Sequence, residues 1–303
     1  MKKGALKTIM SLLFLFGILL VGLLACSSDD TTDIETDVET EEVADATIQE
    51  SFFNSTSLIS YTKVDCTLED GTTGDCYELV FSSNPIEDGP YCPETIDDIG
   101  GLGIYDGNTN PGFQVLKADL FNAMEADGYD IVDDNGNINT DDFNSGMVDS
   151  DLSYCLQAAP DNNLQLSFLI PATPKLASSN NDIDTIELVG VSVDGVPING
   201  NPPSVANPGR EIAGNIPSLD PCGGHNDPAG YYHWHFVAET MNQVLAANDI
   251  TDVECTLIEQ VVDTKLIGFA KDGFPIYVAS NTDAPNVPKC LKGVAANNNF
   301  NVQ

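Results

Sequence analysis

The feature that most constrains this chain is a twelve-residue segment that occurs twice. Glu187-Leu188-Val189-Gly190-Val191-Ser192-Val193-Asp194-Gly195-Val196-Pro197-Ile198 aligns without gaps to Lys265-Leu266-Ile267-Gly268-Phe269-Ala270-Lys271-Asp272-Gly273-Phe274-Pro275-Ile276. Six positions are identical and three more exchange one apolar residue for another. Each copy reads as strand, Asp-Gly turn, strand, because glycine at that place accepts the positive φ of a tight hairpin. The repeat predicts two equivalent turns in one β-sheet system, bracketing whatever lies between Asn199 and Asp263.

Further strand signals accompany it. Leu164–Ile170 and Thr185–Val193 alternate or run apolar between Pro, Asn and Gly clusters. Cys66–Cys76 followed by Tyr77–Phe81 reads as a hairpin with a Gly-rich tip entering a strand. Helical spacing is found over Gly112–Gly128, through Phe113, Leu116, Leu120, Phe121 and Met124, with Gly128 as the C-cap, and over Phe236–Asn248. The fold class expected is mainly β, with a β-sandwich or barrel-like C-terminal domain and a few short helices; α+β is the alternative.

The N-terminus carries an address. Lys2, Lys3 and Lys7 precede an apolar run from Ile9 to Leu24 that ends in Leu23-Leu24-Ala25-Cys26, the pattern of a lipoprotein signal. The run is shorter than the roughly 20 residues a membrane-crossing helix needs. Cleavage before Cys26 and lipidation of its thiol are therefore expected. From Ser27 to Tyr61 no basic residue occurs, and a segment of that charge stays extended. Its start, Ser27-Ser28-Asp29-Asp30, reads either as a spacer or as a stretch that resembles the surface-export signal of some bacterial lipoproteins. The organisation expected is a signal peptide over 1–25, an acidic tether over 26–51, a disulfide-stabilised N-terminal module over 52–160 and a second domain over 161–303. With 11 Lys+Arg against 47 Asp+Glu, and Arg210 the only arginine, nucleic acid is excluded as a partner. The membrane is met through the lipid anchor, on the outer membrane or cell surface, and a small-molecule, glycan or protein ligand stays open.

All three histidines of the chain fall within eleven positions, in Asp220-Pro221-Cys222-Gly223-Gly224-His225-Asn226-Asp227-Pro228-Ala229-Gly230-Tyr231-Tyr232-His233-Trp234-His235. Residues i and i+2 of a strand face one side, so His233 and His235 point together and Trp234 points away. His225, in a Gly/Pro loop, folds back to supply a third nitrogen. Three neutral imidazoles suit Zn²⁺ or Cu²⁺, with Asp227, Tyr231 or Tyr232 as a further ligand or supporting group.

These residues resemble the YHYH domain family of exported bacterial proteins, whose motif stands here as Tyr232-His233-Trp234-His235. The likeness includes Cys222-Gly223-Gly224-His225, the stretch from Leu266 to Tyr277, and Gly190–Ile198; Trp234 departs from the family's Tyr. The resemblance implies an extracytoplasmic domain and supplies no activity.

If Cys26 is lipidated, seven cysteines remain. Cys66 pairs most simply with Cys76 and Cys92 with Cys155, while Cys222, Cys255 and Cys290 compete for one bond. Cys222 is either a thiolate ligand or, as an oxidising compartment favours, a disulfide that pins the histidine loop. Asp133-Asp134-Asn135-Gly136-Asn137-Ile138-Asn139-Thr140-Asp141-Asp142 resembles a calcium loop with Asp133, Asn135, Asn139 and Asp142 as oxygen ligands, although Ile131 stands at the first ligand position; an Asx-rich turn is the alternative. Three functional classes follow: a metal-binding protein without turnover, a zinc-dependent hydrolase using Asp272 or Asp227 as base, and an adhesion or glycan-binding module stacking ligand on Tyr231, Tyr232 and Trp234. Neither HExxH nor GxSxG occurs, which favours the first.

Overall fold

A computed structural model describes residues 48–83, 86, 89–105, 107–142, 155–177, 188–200, 216–262, 264–278 and 300–302. The signal segment, Cys26, nearly all of the acidic tether and Cys290 lie outside them. In chain order the elements are β1 (Leu58–Thr67), β2 (Thr73–Ser82), β3 (Leu102–Tyr105), β4 (Gly112–Val115), α1 (Ala118–Asp127), β5 (Thr140–Asp142), β6 (Cys155–Gln157), β7 (Gln165–Pro171), β8 (Leu188–Ser192) and β9 (Pro197–Asn199). There follow β10 (Ile216–Pro217), β11 (Gly224–Asn226), β12 (Tyr232–Trp234), α2 (Met241–Ala247), β13 (Lys265–Ala270), β14 (Pro275–Val278) and β15 (Phe300–Val302).

The class is mainly β, as the sequence predicts. The larger sheets have the orders β1-β2-β7-β15 and β11-β12-β9-β8-β13-β14, and neither closes into a barrel. They share one core: Leu79, Phe81, Leu166 and Phe168 from the first sheet pack with Val191 and Phe269 from the second, all 0% exposed. Each such side chain contributes about 1.5–3 kcal/mol relative to exposure. The first sheet takes β1 and β2 from the expected N-terminal module and β7 and β15 from the expected second domain. A second core gathers Val196, Tyr232 and Trp234 with Met241 and Leu245 of α2 and the Cys222–Cys255 disulfide. No helix among the described residues is long and apolar enough to cross a membrane.

The repeat is architectural. β8 and β13 pair antiparallel with Gly190 opposite Ala270, Val191 opposite Phe269 and Ser192 opposite Gly268. The alignment of the two copies equates Gly190 with Gly268 and Ser192 with Ala270, so this register relates the hairpins by a local two-fold through the Val191/Phe269 pair. Equivalent bonds recur: Val193 N–H donates to Ile267 O and Lys271 N–H to Val189 O, both at 2.9 Å. Gly195 and Gly273 close the two turns with φ of 88° and 89°. Each hairpin also has an irregularity in register at the same place, between Leu188 and Gly190 and between Leu266 and Gly268. The glycines there serve a close approach: a Cβ on Gly190 would lie 2.3 Å from Phe269 O, and one on Gly268 2.3 Å from Val191 O. The two hairpins therefore lie side by side, and the histidine segment packs along their flank through β9.

Two expectations about helices change. Gly112–Val115 forms β4, paired with β3, and only Ala118–Asp127 of the expected Gly112–Gly128 helix is helical. Pairing satisfies the backbone of that stretch, and Phe113 packs on Phe236 at 5.4 Å, so tertiary contacts override the local periodicity. Gly128 does cap α1 in the left-handed conformation. In the second, α2 begins at Met241 after a 3₁₀ turn over Ala238–Thr240, later than Phe236.

Gly190→Ala and Gly268→Ala should each destabilise the protein by roughly 1–3 kcal/mol, and by similar amounts, because both force the same backbones apart. Urea unfolding measures this. A loss confined to one of the two variants would contradict the two-fold relation.

Candidate metal centre

The histidine segment folds as a hairpin of two three-residue strands. β11 and β12 pair antiparallel with Gly224 opposite Trp234, His225 opposite His233 and Asn226 opposite Tyr232. Asp227–Gly230 makes the turn: Gly230 N–H donates to Asp227 O at 2.7 Å, Ala229 N–H to Asp227 Oδ1 at 2.7 Å, and Gly230 has φ 95°. His225 is thus a strand residue rather than part of a loop. The reason is long-range, since its backbone is satisfied only by pairing across to β12. Beside it β12 runs parallel to β9, with Trp234 opposite Ile198. The alternation predicted for β12 is present: Tyr232 and Trp234 enter the core at 0% and 1% exposure, and the imidazoles of His233 and His235 turn to the other side.

The three imidazoles converge. His225 Nε2 lies 3.0 Å from His235 Nε2, and His233 Nε2 lies 3.1 Å from it. One ligand atom from each histidine falls within 4.8 Å of the others, and no carboxylate among the described residues joins the group. His225 and His233 are buried, at 7% and 4% exposure, and His235 is half-buried. His235 Nδ1 faces the carbonyl of Gly200 at 3.1 Å. A carbonyl only accepts, so that nitrogen carries the proton and Nε2 keeps its lone pair, the usual way an outer partner fixes a ligand's tautomer.

Burial holds all three rings neutral. It pushes His225 down to about 3, with the neighbouring His235 charge acting in the same direction. His233 is lowered well below the ordinary value by burial and then by the other two rings, against a weak opposing pull from the Tyr231 carbonyl. His235 is lowered by burial, with the Gly200 carbonyl opposing. Neutral nitrogen donors of this number and geometry fit a borderline transition metal ion, for which Zn–N distances are about 2.0–2.1 Å.

Other expected site residues lie elsewhere. Asp227 caps its own turn, and Asp272 Oδ1 accepts a long 3.4 Å bond from Phe274 N–H across the second Asp-Gly turn. Tyr231, Tyr232 and Trp234 are all buried, at 8%, 0% and 1% exposure, so none offers a ring face for a glycan at the surface. This corrects the stacking expected of them: the apolar rings are more stable in the core. In the calcium-like loop, Asp133 accepts from the backbone N–H groups of Asn135 and Asn137, each at 2.8 Å, and Gly136 has φ 85°, which is an Asx-type turn. Asn139 Nδ2 donates to Asp130 O at 3.3 Å; Asp142 ends β5, and its side chain is outside the described residues. Among the described residues the disulfides are Cys66–Cys76, Cys92–Cys155 and Cys222–Cys255, so Cys222 is no thiolate ligand.

Sequence reasoning missed two groups beside the histidines. Asp220, 0% exposed, accepts from Tyr232 Oη–H at 2.6 Å and from Gly224 N–H at 2.9 Å. An acidic residue immediately before a Pro-Cys-Gly-Gly stretch was the available signal. The Gly200 carbonyl has no side-chain signature at all.

The depressed histidine values set a pH dependence for the metal-free protein. The unfolded chain takes up protons below about 6.5 that the folded chain refuses, so stability is full above that pH and is lost progressively as pH falls from there toward about 3. The urea midpoint should drop between pH 7 and pH 5, and His225→Gln should flatten that drop. An unchanged slope in the variant would contradict the buried neutral ring.

The model of the YHYH protein family matches residues 167–294. No curated protein matches the chain, and no solved structure does. The matched span contains both Asp-Gly hairpins and all three converging histidines, and over residues 167–294 the chain is a YHYH domain.

Proposed function

We propose that the domain binds a single transition metal ion, Zn²⁺ or Cu²⁺, through Nε2 of His225, His233 and His235, and that it does so without turning over a substrate. The placement of the Nε2 atoms of His225 and His233 at 3.0 and 3.1 Å from that of His235, with all three ligand atoms within 4.8 Å of one another, carries this reading. His235 would be oriented by Gly200, and the ion would supply the positive charge toward which all three lone pairs point. A formal net charge of −36 draws cations to the protein as a whole. The hydrolase reading lacks an observation in its favour, since the carboxylates of Asp227 and Asp272 are outside the histidine group.

Three disulfides fit an extracellular or periplasmic location. The lipobox supports the further reading that the mature chain starts at lipidated Cys26 and is held on the outer membrane or cell surface.

Elemental analysis of protein purified without a His-tag should find about one zinc or copper per chain, and His233→Ala should abolish it. Because the rings stay neutral below the ordinary histidine value, uptake should persist at pH 6 and fail only in more acidic medium. Metal content that is equal in the variant and the parent would refute the site. Independently, Cys26→Ser should release the protein from membranes or block its processing; mass spectrometry of an intact, unacylated Met1 chain in the membrane would refute the anchor.

A further inference from the structure

β11 and β12 are only three residues long. Strands that short contribute few ladder bonds of their own, and a slip of one residue would exchange the imidazole face for the Tyr/Trp face. Something must select the register in which His225 stands opposite His233. Directly beneath the hairpin lies a buried carboxylate, Asp220, which is costly to place there unless it is fully engaged. Its two oxygens bond the two strands separately: Oδ1 accepts from Gly224 N–H at 2.9 Å and Oδ2 from Tyr232 Oη–H at 2.6 Å. Those bonded residues immediately precede His225 and His233.

The backbone around Asp220 tightens the same clamp. Asp220 N–H donates to Gly224 O at 2.8 Å and Gly223 N–H to Asp220 O at 3.0 Å, while Gly223 O accepts from His235 N–H at 2.9 Å. The phenol of Tyr232 lies against Gly224, where an added Cβ would come within 2.5 Å of the ring. The bonds within Asp220–Gly224 hold the turn itself, whereas those that reach across from the β12 side, Tyr232 Oη–H to Asp220 and His235 N–H to Gly223 O, form only when Tyr232 and His235 stand in this register. The geometry assigns Asp220 and Tyr232 as positioning residues for the three-histidine site: the carboxylate–phenol bond selects the hairpin register that makes Nε2 of the three rings converge. The assignment deepens the metal-binding reading and rests on it for what the converged rings are used for.

The test uses the full chain, ¹⁵N-labelled and metal-free, with long-range correlation of the histidine ring nitrogens, followed by Zn²⁺ affinity from chelator competition. Asp220→Asn keeps the shape and replaces one acceptor by a donor; Tyr232→Phe removes the hydroxyl. In both, the ring signals of His225 and His233 should shift and Zn²⁺ affinity should fall roughly 10–100-fold, as for loss of a supporting partner of a ligand. The amide signals of β1, β2 and β7 should stay in place. If Tyr232→Phe does not fold, Asp220→Asn decides alone. Folded variants with lowered thermal stability but ring signals and affinity at the parent level would assign Asp220 to general stability and overturn the proposal. If the parent itself takes no Zn²⁺ or Cu²⁺, the metal-binding reading fails separately. The ring signals then still decide the positioning role, unchanged signals overturning it and shifted signals supporting it.

Discussion

The close approach of two backbones at Gly190 and Gly268 is the constraint on which the rest depends. With no side chain at either position, β8 and β13 pair across a local two-fold, and two separate hairpins become one four-stranded unit. One side of that unit puts Val191 and Phe269 into the core shared with β2 and β7. Its flank, β9, receives β12 through the Ile198–Trp234 pair and ends beside Gly200, whose carbonyl orients His235. The hairpin that bears the histidines is thus an extension of the repeat, and its position follows from a backbone contact well away from any imidazole.

A hairpin of two three-residue strands cannot hold its geometry unaided. Trp234 and Tyr232 anchor it from below, each of them essentially unexposed. The Cys222–Cys255 disulfide ties its entry to the segment after α2, closing a loop with a sequence separation of 33. In the chain-entropy account, a loop of that length stabilises by roughly 3–4 kcal/mol. Rigid support of this kind matters for a metal site, because ligands held before the ion arrives lose less entropy on binding it.

Legibility from sequence followed the range of the interactions. The Asp-Gly turns, the Cys66–Cys76 hairpin and the alternation of His233, Trp234 and His235 were readable, because each is decided by residues within a few positions. Gly190 and Gly268 were visible as repeated glycines, but their purpose depends on a partner strand 78 positions away in the alignment of the copies. The helix expected from Gly112 failed at its first turn because β3 offered a ladder to Gly112–Val115. His225 was expected in a loop for the same reason: nothing local announces that His233 will stand opposite. Asp220 shows the limit most sharply, since its two partners stand 4 and 12 positions away and only the folded hairpin brings them together.

The proton inventory of the histidine cluster argues for a cation over a purely hydrogen-bonded arrangement. Three neutral imidazoles hold three protons on six nitrogens. That of His235 is committed to Gly200, which leaves its Nε2 with one in-plane lone pair facing two other Nε2 atoms. Were both of those protonated, two donors would compete for one lone pair; were one of them protonated, the lone pair of the other would still face His235 Nε2 with no proton between them. Were neither protonated, two further lone pairs would face that of His235 at 3.0 and 3.1 Å. Protonating a ring outright is opposed by burial, which drives every one of the three values downward. A metal ion at the centre, as proposed, would remove the conflict, because it would accept all three lone pairs at once with each proton on Nδ1.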